Sequence, residues 1–151
     1  MLNLIAKDLK RRFDPKLIDE LLAAYRDAKR NFYLGGLRLS AVEGGRFCEA
    51  AFRMLEQAAG GTFTPINIQI NSEKIIATVA QSKAPDAIRI HIPRALRVVC
   101  DIRNKRDAAH LAEGIDPNQQ DATFVAGTLD WILAEFVRLY HAISADDANV
   151  L

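Results

Sequence analysis

Leu17, Ile18, Leu21, Leu22 and Tyr25 recur at the spacing that turns one face of a helix toward a core. Asp14-Pro15 in front of them pairs a capping carboxylate with a proline suited to a first helical position, so a helix is predicted from there to about Arg30. Gly35-Gly36 then breaks the pattern. A second helix is predicted from about Leu37 to Ala59, with Val42, Phe47, Ala51, Phe52 and Leu55 as its inner stripe. Gly44-Gly45 lies inside that stripe at a propensity cost of ~2 kcal/mol relative to alanine. Such a pair implies close packing against another helix or a partner chain. Gly60-Gly61 ends the helix. In TFTPINIQINS, Ile66, Ile68 and Ile70 alternate with polar residues, but the segment stands alone and reads as an extended loop. A short helix follows from Ser72 to about Gln81.

The stretch DAIRIHIPRAL is ambiguous up to Pro93, which reads as lying near the first turn of a long helix. Ala95, Leu96, Val99 and Ile102 mark its face. The last helix is predicted to begin after Asp116-Pro117. Phe124, Val125, Leu129, Ile132, Leu133, Phe136 and Tyr140 give it the strongest periodicity in the chain, and the tail SADDANVL reads as frayed. Four or five helices without a βαβ rhythm predict an all-α bundle. It forms one domain over residues 1–151, with its core from about 14 to 143.

At 151 residues the chain is long enough for a sizeable core. Its apolar fraction of 50% is ordinary for a globular protein, and its formal charge of +1 does not announce a nucleic-acid binder. Cys48 and Cys100 read as small buried hydrophobes, with no CxxC and no zinc-ligand spacing. MLNLIAKDLKRRF lacks the apolar run of a signal peptide, and no stretch reaches membrane-spanning length, so a cytoplasmic protein is expected. Phosphate-binding glycine loops, nucleophile elbows and metalloprotease motifs are absent. The adjacent carboxylates Asp19-Glu20 and Asp146-Asp147 read as a solvated helix face and part of the tail. No metal or other cofactor is expected.

What charge asymmetry there is lies in one place. Between Arg94 and Arg106, the five cations Arg94, Arg97, Arg103, Lys105 and Arg106 meet a single carboxylate, Asp101. A solvated face with a cationic helix end, favoured by the helix dipole, is the plainer reading. Arg97 and Asp101 are spaced to pair. The other cations have no local partner, however, and the patch leads to His110, whose side chain titrates near neutrality. On an unbroken helix Arg103 and His110 would share a face, ~10 Å apart along the axis. Both could then reach one phosphate, with Asn104 placed to orient the histidine or a ribose hydroxyl. That trio suits cleavage of an RNA phosphodiester by its own 2′-OH. The histidine moves a proton, the arginine neutralises the phosphorane and the amide positions.

The pattern Arg103-Asn104-x5-His110 resembles the R-x(4–6)-H motif of HEPN domains (higher eukaryote and prokaryote nucleotide-binding). IHIPRALRVVCDIRNKRDAAH, GLRLSAVEGGRFCEAAFRMLE and DATFVAGTLDWILAEFVRLYH all look like one bacterial group of HEPN-like proteins. The likeness runs from about Tyr33 to His141. It implies a HEPN-like bundle and a metal-independent endoribonuclease of the kind found in toxin–antitoxin, abortive-infection and CRISPR-linked systems. Arg103, Asn104 and His110 would be catalytic, while Lys105 and Arg106 would hold flanking RNA phosphates. It also implies a homodimer with two motifs facing across a composite site, and an antitoxin or other defence-system protein as a possible partner. Some HEPN domains have lost catalysis and bind RNA or protein instead. One toxin branch carries a modified tyrosine two residues after the histidine. Ala112 stands there in this chain, which argues against that form of regulation. His91 and His141 read as structural or solvent-exposed, and Trp131 as core or interface.

Overall fold

The computed structural model describes residues 1–105 and 118–140, and within these the side chains at 37–42 and 103–105 fall outside the description. Among the described residues the chain is all-α, with six α-helices and no strand. They are α1 (Leu2–Leu9), α2 (Pro15–Tyr33), α3 (Leu37–Gly60), α4 (Ser72–Ala80), α5 (Ile92–Lys105) and α6 (Gln119–Tyr140). No described helix is long and apolar enough to cross a membrane.

The caps behave as their chemistry dictates. Asp14 accepts from the Lys16 N–H at 2.8 Å and Pro15 opens α2. Asn71 caps α4 through the Lys74 N–H. At the start of α6, Asn118 and Asp121 exchange side-chain-to-backbone bonds of 2.8 and 3.3 Å, a reciprocal cap. Asp116-Pro117, the expected start signal, lies outside the described residues. Gly61 takes a left-handed φ of +82° and closes α3 by donating to the Gln57 carbonyl.

α2 and α3 form an antiparallel pair with the most extensive packing in the molecule, and α3 also meets α4, α5 and α6. The expected stripe of α3 is buried at Phe47, Ala51, Phe52 and Leu55; the side chain of Val42 lies outside the description. Gly44 has the close contact its position implied. A Cβ there would stand 3.3 Å from Val125 Cγ1, so the absent side chain lets α6 approach.

Two features depart from the sequence reading. α1 was not expected, yet Ile5 and Leu9 are buried, so the core begins well before residue 14. Downstream of α1, Phe13 stands edge-on to Phe136 and Tyr140 of α6. A helix of eight residues has little stability of its own and is held by such packing. Second, the ambiguous stretch before Pro93 is a π-helical turn, Ala87–His91, running straight into α5. Proline has no N–H to donate, and its ring crowds the carbonyl four residues back. The wider turn, in which Ile92 donates to the Ala87 carbonyl, absorbs the mismatch without breaking the helix.

The loop between α3 and α4 is extended and non-regular, as its isolation implied. It is organised by one buried cation. Arg53 of α3 donates to the carbonyls of Thr64 (3.0 Å) and Ile68 (2.8 Å) in the loop, and to Glu49 (3.3 Å) on its own helix. Glu56, one turn on, accepts from both the backbone and the hydroxyl of Thr64 at 2.8 Å.

Candidate functional site

Arg103, Asn104 and Lys105 form the last described turn of α5. The helix is anchored by Ile92, Leu96 and Val99, all buried, with Ile102 half-buried. Helical register sets Arg103 seven residues after Leu96 and four after Val99, so its backbone follows the inward stripe to the end of the helix. Asn104 and Lys105 follow the exposed positions Arg97 and Val98 by the same seven-residue step. The arginine–amide pair is therefore mounted on a packed helix and not on a loop. Arg106 and His110 lie outside the described residues, so α5 brings together three of the five expected site residues in sequence register alone.

The cationic patch is less uniform than its composition. Arg97 does not pair with Asp101, one turn along the same helix. It reaches Glu73 of α4 instead, Nε to Oε1 3.3 Å, and so braces α5 against the neighbouring helix. Arg94 and Asp101 are both exposed. His91, in the π turn, stands near Glu135 of α6. The Glu135 carboxyl is held below the usual range first by its hydrogen bond from Arg138, with smaller help from the charges of Arg138 and His91 and opposition from partial burial.

The paired carboxylates Asp19-Glu20 divide between two cations. Asp19 meets Lys10 at 2.6 Å and Glu20 meets Arg46 at 3.1 Å. No cluster of metal-ligating side chains occurs among the described residues. Neither cysteine forms a disulfide among the described residues. Cys48 is buried as expected, and Cys100 only in part.

Three features escaped the sequence reading. One is the Arg53 clamp. The second joins α2 to α6: the Tyr25 hydroxyl donates to Asp130 at 2.6 Å, and Lys29 reaches both oxygens of the same carboxylate at 3.0 and 2.8 Å. Burial, then the bond to Asp130, pushes the Tyr25 phenol well above its ordinary value. The third is an apolar groove of about 420 Å³ between α5 and α6, lined by Ala95, Val98, Phe124, Gly127 and Trp131. Phe124, expected in the inner stripe, is 47% exposed, and Trp131 is 43% exposed. The signal was present in the sequence: Phe124 and Trp131 are two turns apart and stand off the Val125, Leu129, Ile132, Phe136 face.

Compared with known proteins, the chain matches no family model, no curated protein and no solved structure.

Proposed function

We propose that the chain is a HEPN-like, metal-independent endoribonuclease that cleaves RNA by attack of the substrate's own 2′-OH, and that it serves as a toxin or phage-defence effector. The observation that supports this reading is the mounting of Arg103-Asn104 in the last described turn of α5, a helix anchored by the buried Ile92, Leu96 and Val99. A guanidinium that must meet charge developing on a phosphorane works best from a fixed position, because reorganisation then costs nothing during reaction. In this scheme Arg103 stabilises that charge, His110 moves the proton and Asn104 orients. Lys105 and Arg106 hold adjoining phosphates. RNA is the substrate, a second copy of the chain is a partner, and an antitoxin or other defence-system protein is a further one.

The test is cleavage of single-stranded RNA in EDTA by the wild type and by His110→Ala. Products ending in a 2′,3′-cyclic phosphate from the wild type, and none from the variant, are expected. Cleavage that needs a divalent cation, or that survives in the variant, rejects the scheme.

A second reading is a non-catalytic module that binds RNA or protein. The exposed groove beside the cationic patch favours it, since an apolar surface with charged neighbours suits a macromolecular contact. RNA binding without cleavage would select it.

A further inference from the structure

A cavity of about 400 Å³ opens between the last turn of α3, the connection that follows it and one face of α4. Small-molecule sites run from ~300 to ~1,000 Å³. Part of its lining is apolar: Ile75 and Val79, one turn apart on α4 and both buried, with Ala59 of α3. The rest carries opposite charges. Glu56 lines it from α3 and Lys74 from α4, yet the two form no ion pair.

Glu56 is half-buried and fixed in place, since both of its oxygens accept from Thr64 at 2.8 Å. Both of those donors are neutral, so the carboxylate is oriented but has no counter-charge among the described residues. Ala59 and Gly60 bring the C-terminal end of α3 to the same side, where the helix dipole is negative. Of the last carbonyls of that helix, only that of Gln57 accepts a backbone N–H, from Gly61. Lys74 is exposed, and its ammonium joins no ion pair among the described residues. The walls are already in place. Arg53 holds the connection through the carbonyls of Thr64 and Ile68, and Asn71 caps the start of α4. A ligand therefore has little loop ordering to offset on binding.

We infer that this cavity binds a small zwitterion with an apolar side chain, of the chemical class of a free dipeptide. The ammonium lies against Glu56 and the end of α3, the carboxylate meets Lys74, and the apolar side chain covers Ile75 and Val79. A simple cation or anion would answer one charge and leave the other. A dipeptide separates its two ends further than a single amino acid does, as suits charges that do not meet across the cavity. Gln69 and Thr78 also line it, with no side-chain hydrogen bond among the described residues, and serve the peptide group between the ends. The cavity shares no residue with Arg103–Lys105, so this site stands or falls apart from the ribonuclease reading.

Calorimetric titration of the full chain with leucyl-leucine, its N-acetyl form and its C-terminal amide tests the assignment. The free dipeptide should bind, one molecule per chain, and shift the amide resonances of Ile75 and Val79. Masking either end should weaken binding about tenfold or more, as loss of a charged contact does. In Lys74→Met the free dipeptide and its amide should bind alike, and in Glu56→Gln the free and acetylated forms should. Lys74 is exposed, so its variant gives a reading even if Glu56→Gln loosens the Thr64 contact. Absence of both heat and resonance shifts at millimolar dipeptide overturns the proposal. So does equal affinity for all three forms, which means a merely apolar cleft, and so does an undiminished preference for the free carboxylate in Lys74→Met.

Discussion

Arg53 carries its charge among carbonyl oxygens, and that choice of partner decides what its loss would do. Those carbonyls belong to a loop with no ladder of its own, so removing the guanidinium leaves several part-buried acceptors without their donor. Each acceptor shielded from water costs about 1–3 kcal/mol when orphaned. Arg53→Met should lower unfolding free energy by about 2–4 kcal/mol in urea titrations. Arg53→Lys should recover only part, because an ammonium cannot span the same fan of acceptors. Gly44 poses the opposite problem, since any added bulk meets Val125 at once. Gly44→Val should cost about 1–3 kcal/mol by overpacking. Adding Val125→Ala should make the double variant more stable than the sum of the two single effects, a coupling of at least about 0.5 kcal/mol in a double-mutant cycle. Tyr25 adds a pH dependence. Its folded phenol is raised, so the folded state holds the proton more tightly than the unfolded chain does. The resulting stability is whole below about pH 10, where an unfolded tyrosine begins to ionise, and drains as pH climbs from there toward the raised folded value. Tyr25→Phe should cost about 1 kcal/mol at neutral pH. It should also flatten the decline in denaturation midpoint measured above about pH 10.

At the scale of elements, helix type and order were legible wherever periodicity and punctuation agreed. α2 and α3 begin and end within a few residues of their signals, because Asp14-Pro15, Gly35-Gly36 and Gly60-Gly61 act through local backbone chemistry, and α4 begins at Ser72 as read, with Asn71 as the cap the sequence reading had not named. α1 was not legible. Its eight residues carry no cap, and only contact with α2 and α6 makes them a helix. The π turn was hidden for a related reason, since a proline reads as a start whether or not the chain before it is already helical. Of the candidate site, only the register of Arg103, Asn104 and Lys105 on α5 was legible, and the cations of that helix could not be assigned partners from spacing alone. Arg97 prefers a carboxylate from another helix to one on its own. That makes Arg97 a useful control for the proposed chemistry. Arg103→Lys should lower RNA turnover ~100–1000-fold by losing a preorganised fork of donors. Arg97→Lys should leave turnover nearly unchanged and cost well under ~1 kcal/mol of stability, as for an exposed ion pair. Equal and mild effects of both on single-turnover rates would make Arg103 part of a general basic surface.

At the scale of the whole molecule, α3 packs against α2, α4, α5 and α6, and the long connection from Gly61 to Asn71 is held to it by side chains of α3 itself. The segment INIQIN within that connection is uncharged, rich in β-branched residues and free of proline and glycine. Those are the features of a short stretch able to stack into cross-β fibrils. In the native state Arg53 occupies its carbonyls, and Ile66 and Ile68 stay apart on the surface although both are about half exposed. Releasing the clamp would free the backbone groups such stacking needs while leaving most of the helical bundle intact. An Arg53 variant should therefore bind thioflavin T after mild heating, below its unfolding temperature. Replacing Ile68 with lysine in the same variant should suppress that signal, so the buried arginine also guards the chain against self-association.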